Sequence, residues 1–73
     1  MAHKVIYDAL IKKYEADIAD SSAKITILMT ETRIIPEHID VTGEIDKLLG
    51  KIEEAESRMA IFQRVYGVNV AVN

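Results

Sequence analysis

Two stripes of apolar residues, separated by the single proline of the chain, constrain this sequence more than any other feature. Within each stripe the positions advance by alternating steps of four and three, the spacing of one helix face that packs against another helix. The stripes predict helices over about residues 3–33 and 41–66. The first stripe is Tyr7, Ile11, Tyr14, Ile18, Ser21, Ile25, Leu28 and Thr32, of which only Ser21 and Thr32 are not apolar. The second is Val41, Ile45, Leu48, Ile52, Ala55, Met59, Phe62 and Tyr66.

The segment between the stripes, about residues 34–40, predicts a turn. Pro36 lacks the N–H that a helix interior needs, and it pushes the preceding residue out of the α-helical region. Asp40 and Thr42 are both candidate N-caps of the second helix, because a short side-chain oxygen accepts hydrogen bonds from the free N–H groups of a first turn. Gly67 is a candidate C-terminal stop for that helix.

The stripes mirror each other about the turn. If the chain folds back at Pro36, each stripe residue of the first helix meets the residue at the mirrored position of the second, from Tyr7 opposite Tyr66 onward. The sequence therefore predicts an all-α fold in which a single domain, residues 1–73, is an antiparallel two-helix hairpin. The hairpin would be coiled-coil-like, because a repeat of about 3.5 residues implies a shallow left-handed supercoil.

A lone hairpin of this size buries little apolar surface. The 73 residues include no cysteine, so neither disulfides nor thiolate metal sites add to its stability. Apolar residues also lie beside the stripes, where the hairpin leaves them uncovered. We therefore expect a homodimer or higher oligomer, in which a second hairpin covers these residues and completes a four-helix bundle. The candidate interface residues are Leu10, Met29, Leu49 and Val65.

Residues 67–73 predict an extended tail. Val68, Val70 and Val72 would lie on one side of a short, uncharged and β-prone strand. Two interpretations follow. The tail either pairs with the edge of another chain, which adds these three valines to the candidate interface, or it frays as a terminus.

Small residues leave two further questions open. Ala9, Ala16 and Ala23 recur every seven residues on the face opposite the first stripe. They form either a close-packing face for another helix or an exposed face filled by the best helix former. Gly50, on the outer face of the second helix, either opens a groove for a partner helix or is a tolerated weak point.

Charge and hydropathy exclude several classes of protein. A net charge of −3 and a pI near 5.2 give no electrostatic reason to seek phosphate backbones or anionic membranes. No apolar run approaches the ~20 residues of a membrane span, and residues 1–10 lack the apolar core of a signal peptide. We therefore expect a cytoplasmic protein without membrane association.

Motifs for chemistry are missing from the sequence. It contains no Glu-x-x-His motif of di-iron bundles, no glycine-rich phosphate loop and no Ser/His/Asp arrangement that two helices could assemble. Glu37, His38 and Asp40 cluster at the turn and could hold a surface metal, although a solvated turn is the simpler interpretation. We therefore expect no enzyme, no catalytic residue, no cofactor and no metal site.

These observations favour a non-enzymatic protein–protein interaction or assembly module, with its own copies and another protein as partners. At the level of architecture alone, the paired stripes resemble Rop, a small hairpin that dimerises into a bundle and binds RNA despite an acidic balance. That resemblance implies RNA binding as an alternative, with Lys12, Lys13 and Arg58 among the available cations. A small-ligand or metal site inside the bundle is a third hypothesis.

Overall fold

Two long helices account for the described part of the chain. The structure is a computed structural model that describes residues 2–30 and 40–71, and side chains within 3–30 and 40–67. Helix α1 spans Ala2–Thr30 and helix α2 spans Val41–Ala71, and these ranges contain no strand. The helices pack along one another in a rod of 53 × 16 × 15 Å. The end of the first predicted helix and the turn before Asp40 lie outside the described residues.

The helices run antiparallel. Near the start of α1 the Tyr7 ring stacks on the ring of Phe62, late in α2, with a centroid distance of 5.1 Å. Toward the other end Leu28 and Leu48 border the same cavity. Late residues of α1 therefore lie beside early residues of α2, and the predicted all-α two-helix hairpin is confirmed. The end that carries Tyr7 and Phe62 is called the open end below, and the opposite end is called the turn end.

The two apolar stripes form the contact between the helices, which is called the seam. Among the described residues the buried ones are Ser21, Leu48 and Ala55, and all three belong to the stripes. The other stripe residues are mostly half-buried. Ser21 and Ala55 lie near the middle of the seam, where small side chains allow the backbones of the two helices to approach closely.

Asp40 is the N-cap of α2. Its carboxylate Oδ1 accepts hydrogen bonds from the backbone N–H of Gly43 and from the Thr42 hydroxyl, both at 3.0 Å. Its carbonyl oxygen accepts the first helical bond, from the N–H of Glu44 at 2.9 Å. The Gly43 N–H, and then the Thr42 hydroxyl, hold the pKa of the Asp40 carboxyl below its ordinary value because both stabilise the charged form. Of the two candidate caps, Asp40 therefore has this role, and Thr42 supports it.

The C-terminal part of α2 differs from the prediction. The helix continues through Gly67 to Ala71, beyond its predicted end near residue 66, so the extended conformation predicted for residues 67–73 is corrected to helix as far as Ala71. Gly67 does not terminate the helix, because no described glycine adopts the positive φ of a C-terminal cap. Val68 and Val70 therefore belong to α2, while Val72 lies outside the described residues.

Gly67 has a packing role instead. A Cβ atom at this position would lie 3.1 Å from the Tyr7 hydroxyl oxygen, closer than ordinary van der Waals contact. The missing side chain thus leaves room for Tyr7 to lie across α2. Neither α1 nor α2 has an apolar stretch long enough to span a membrane.

Candidate interaction surface

The described hairpin exposes more large apolar side chains than it buries. Among the described residues, Leu48 and Ala55 are the only buried apolar ones. Single exposed apolar residues are common on protein surfaces, so their arrangement decides whether they form a contact surface. Eight are exposed: Val5, Ile6, Ile27, Met29, Leu49, Ile61, Val65 and Tyr66.

Two cavities that reach the seam open on the same side of the hairpin. One, of about 260 Å³, lies at the middle of the seam, where Ser21 and Ala55 replace larger side chains. The other, of about 280 Å³, lies toward the turn end and reaches Leu28 and Leu48. The side chains around them that lie outside the seam are Lys13, Asp17, Asp20, Lys24, Ile27, Glu44, Lys47, Lys51, Glu54 and Arg58.

These ten residues follow the same alternation of three and four as the seam, so they define one flank of the hairpin, called the grooved flank. Seven residues bring a helix back to nearly the same side, so stepping one heptad toward the open end extends the flank. On α1 this step leads from Lys13 to Ile6 and from Asp17 to Leu10. On α2 it leads to Ile61 and Val65.

The four residues at the open end of the grooved flank are all apolar and are called the apolar patch: Ile6, Leu10, Ile61 and Val65. Leu10 is half-buried and the other three are exposed. Leu10 and Val65 are among the candidate interface residues predicted from the sequence, whereas Ile6 and Ile61 are not. Each missed residue stands four positions before a predicted one, so the apolar pattern at this spacing was the available signal.

Met29 and Leu49 do not lie on the grooved flank. Their neighbours Leu28 and Leu48 border the cavity at the turn end, but these two side chains do not. Heptad steps link Met29 to Glu15 and Leu49 to Glu56, on the other side of the seam. The candidate interface residues are therefore separated onto opposite flanks, and one partner hairpin cannot cover all of them.

The two flanks differ in charge. The grooved flank carries five cations and four acids: Lys13, Lys24, Lys47, Lys51 and Arg58 with Asp17, Asp20, Glu44 and Glu54. The other side is called the acidic flank. It carries one cation, Lys12, and five acids: Asp8, Glu15, Asp46, Glu53 and Glu56. Lys4, at the end of the seam, pairs with Asp8 at 3.1 Å and offsets one of these acids.

Four of the five cations of the grooved flank pair with acids of their own helix. Lys13 lies 2.9 Å from Asp17, and Lys24 lies 3.0 Å from Asp20. On α2, Arg58 lies 2.7 Å from Glu54, so Asp17 and Arg58 each pair within their own helix and not with each other across the seam. All of these groups are exposed, and such pairs add little stability. Interleaved acids also break up the basic stripe that a nucleic-acid backbone would need.

Possible metal-binding side chains of the described residues are spread along the helices. Within the described residues no three His, Asp or Glu side chains come together as a metal-binding group. Glu37 and His38, the other members of the cluster at the turn, lie outside the described residues. The arrangement is an apolar patch beside an open, mixed-charge groove, which suits contact with another protein surface.

Comparison of the chain with protein-family models, with curated proteins and with solved structures finds no match.

Proposed function

We propose that the chain is a non-enzymatic interaction or assembly module: a helical hairpin that associates with its own copies and presents its remaining helix faces to a protein partner. One observation carries the proposal. The described hairpin buries only Leu48 and Ala55 among its apolar side chains, while it exposes eight large ones. Such a surface is typical of a protein whose core is completed by association.

Energetic considerations support self-association. Ordering a chain costs about 1.5 kcal/mol per residue, and burying a Val, Leu, Ile or Phe side chain returns about 1.5–3 kcal/mol. A single seam of mostly half-buried residues recovers only part of that return. A second hairpin packed on the first would bury the exposed apolar residues of one flank in both copies at once.

Solution mass and thermal stability test the proposal. We expect light scattering after size-exclusion chromatography to give at least twice the 8.2 kDa of one chain at micromolar concentration. We also expect the melting temperature followed by circular dichroism to rise with protein concentration, because dilution favours the dissociated chains. A folded species of 8.2 kDa whose melting temperature does not depend on concentration would contradict self-association.

A further inference from the structure

We propose that a second copy of the chain covers the grooved flank, with the two open ends side by side, so that the apolar patches of the two copies meet. This inference rests on the proposed self-association and adds the face and the orientation. It concerns two copies related by a two-fold axis roughly parallel to the rods.

The grooved flank has the space that a packed partner fills. Its cavities of about 260 and 280 Å³ reach seam residues at two levels of the rod, so the seam is open to this side. In a four-helix bundle, side chains of the facing hairpin enter such gaps. A broad side of a rod of 53 by 16 Å presents roughly 850 Å², close to the ~800 Å² that each partner contributes to a standard interface.

Charge distinguishes between the two flanks. Two acidic flanks face to face would bring five carboxylates against five, with one lysine on each side, and repulsion would oppose contact. Two grooved flanks would bring together five cations and four acids from each copy, so all the acids and most of the cations can find an opposite partner. The grooved flank is therefore the side on which identical copies can meet.

The position of the apolar patch sets the orientation. The patch occupies only the open end of the grooved flank, while the turn end carries Lys24, Glu44 and Lys47 around a single Ile27. Side-by-side open ends place four apolar side chains against four. If the rods ran in opposite directions, the apolar patch of one copy would face the charged groups of the other. Those groups would lose contact with water, and the patch would not be buried against apolar surface. A parallel arrangement of the rods is therefore favoured.

A second arrangement of two copies would also place opposite charges near each other. The grooved flank of one copy could meet the acidic flank of the next, but this contact uses different surfaces on the two copies and does not close. It would produce assemblies that grow with concentration. The two-fold arrangement instead stops at a dimer.

Paired substitutions test which flank forms the contact. Ile61→Gln with Val65→Gln removes two residues of the apolar patch, and Met29→Gln with Leu49→Gln is the matched control on the acidic flank. All four side chains are exposed in the hairpin and glutamine is a good helix former, so both variants should keep their helices. We expect the dimer dissociation constant, measured by sedimentation equilibrium, to rise about 100-fold for the first variant and to change less than about 3-fold for the control.

A cross-linking experiment tests the orientation and does not depend on a destabilised variant. The chain has no cysteine, so Val65→Cys provides a unique thiol. With open ends side by side, a short bis-maleimide should link the two copies. Residue 65 lies nine positions beyond the middle of α2, so opposed rods would separate the two thiols by about 27 Å along the axis. Leu49→Cys, on the acidic flank, should remain unlinked.

The outcomes separate this inference from the proposed function. A wild-type monomer at all concentrations would overturn both. A wild-type dimer that only the control pair dissociates, or that Leu49→Cys cross-links, would overturn the choice of flank and leave self-association standing. A dimer that Val65→Cys does not cross-link would overturn the orientation, and assemblies that grow with concentration would overturn the closed dimer.

Discussion

The middle of the seam and its open end solve the same packing problem in different ways. In the middle, Ser21 and Ala55 are small and are buried within a single hairpin, with 2% and 5% of their surfaces exposed. At the open end, Tyr7 stacks on Phe62, whose ring lies 5.4 Å from that of Tyr66, and Tyr66 remains 53% exposed. The difference teaches that, at these two levels of the seam, the small residues are buried within one chain, whereas the aromatic residues leave apolar surface for another chain.

The largest expected effect tests the buried part of the seam. Leu48→Ala removes a side chain that is 5% exposed and should lower the free energy of unfolding by about 2 kcal/mol or more, because it leaves a void. Leu49→Ala, one residue later and 51% exposed, is the matched control and should change it by less than about 0.5 kcal/mol. Urea unfolding followed by circular dichroism measures both. Equal losses would refute the view that the seam, rather than total apolar content, holds the helices together.

A smaller effect examines the open end through two helical glycines. A Cβ at Gly50 would meet nothing within 4 Å, so Gly50→Ala should stabilise α2 by about 0.5–1 kcal/mol. Gly67→Ala places its methyl group 3.1 Å from the Tyr7 hydroxyl oxygen. This substitution should stabilise α2 less than Gly50→Ala does, because Tyr7 must move. Thermal unfolding of both variants, and of Gly67→Ala in a Tyr7→Phe background, measures the difference.

Tyr7→Phe removes the oxygen that crowds residue 67, so Gly67→Ala should stabilise the protein more in the Tyr7→Phe background than in the wild type. The coupling between the two substitutions is the quantity of interest. A gain at Gly67 as large as the gain at Gly50, with no coupling to Tyr7, would show that the tyrosine does not lie across the helix as described.

The smallest expected effect concerns the start of α2. The folded pKa of Asp40 lies below its ordinary value of 3.8, so its capping contribution is fully present above about pH 3.8 and is lost as the pH falls through the lowered folded value. Asp40→Asn keeps an acceptor for the Gly43 N–H but does not titrate. We expect the stability of the wild type to fall relative to Asp40→Asn over that acidic window in thermal melts. Parallel pH profiles for the two proteins would argue against the charged cap.

The sequence alone predicted most of what depends on local spacing. The steps of four and three identified both helices and the seam, because a helix repeats its faces regardless of what lies nearby. Asp40 was recognised as a candidate cap because the hydrogen bonds of its carboxylate are made within three residues. These features need no knowledge of the packed structure.

Features that depend on contacts between the helices were less accessible. Glycine is common at the C-terminal ends of helices, so the sequence favoured that role for Gly67. Only the position of Tyr7 reveals that its side chain closely approaches this residue. Met29 and Val65 both flank the stripes in sequence. Their separation onto different flanks follows from the residues that line the two cavities of the grooved flank.

The ion pairs of the hairpin have a consequence for its evolution. Each of the five lysine and arginine pairs in the described chain joins residues three or four apart in the same helix, and none links α1 to α2. The register of the helices thus rests on shape and not on matched charges. Substitutions of the surface charges can therefore change which protein surfaces the rod binds without changing how its two helices pair.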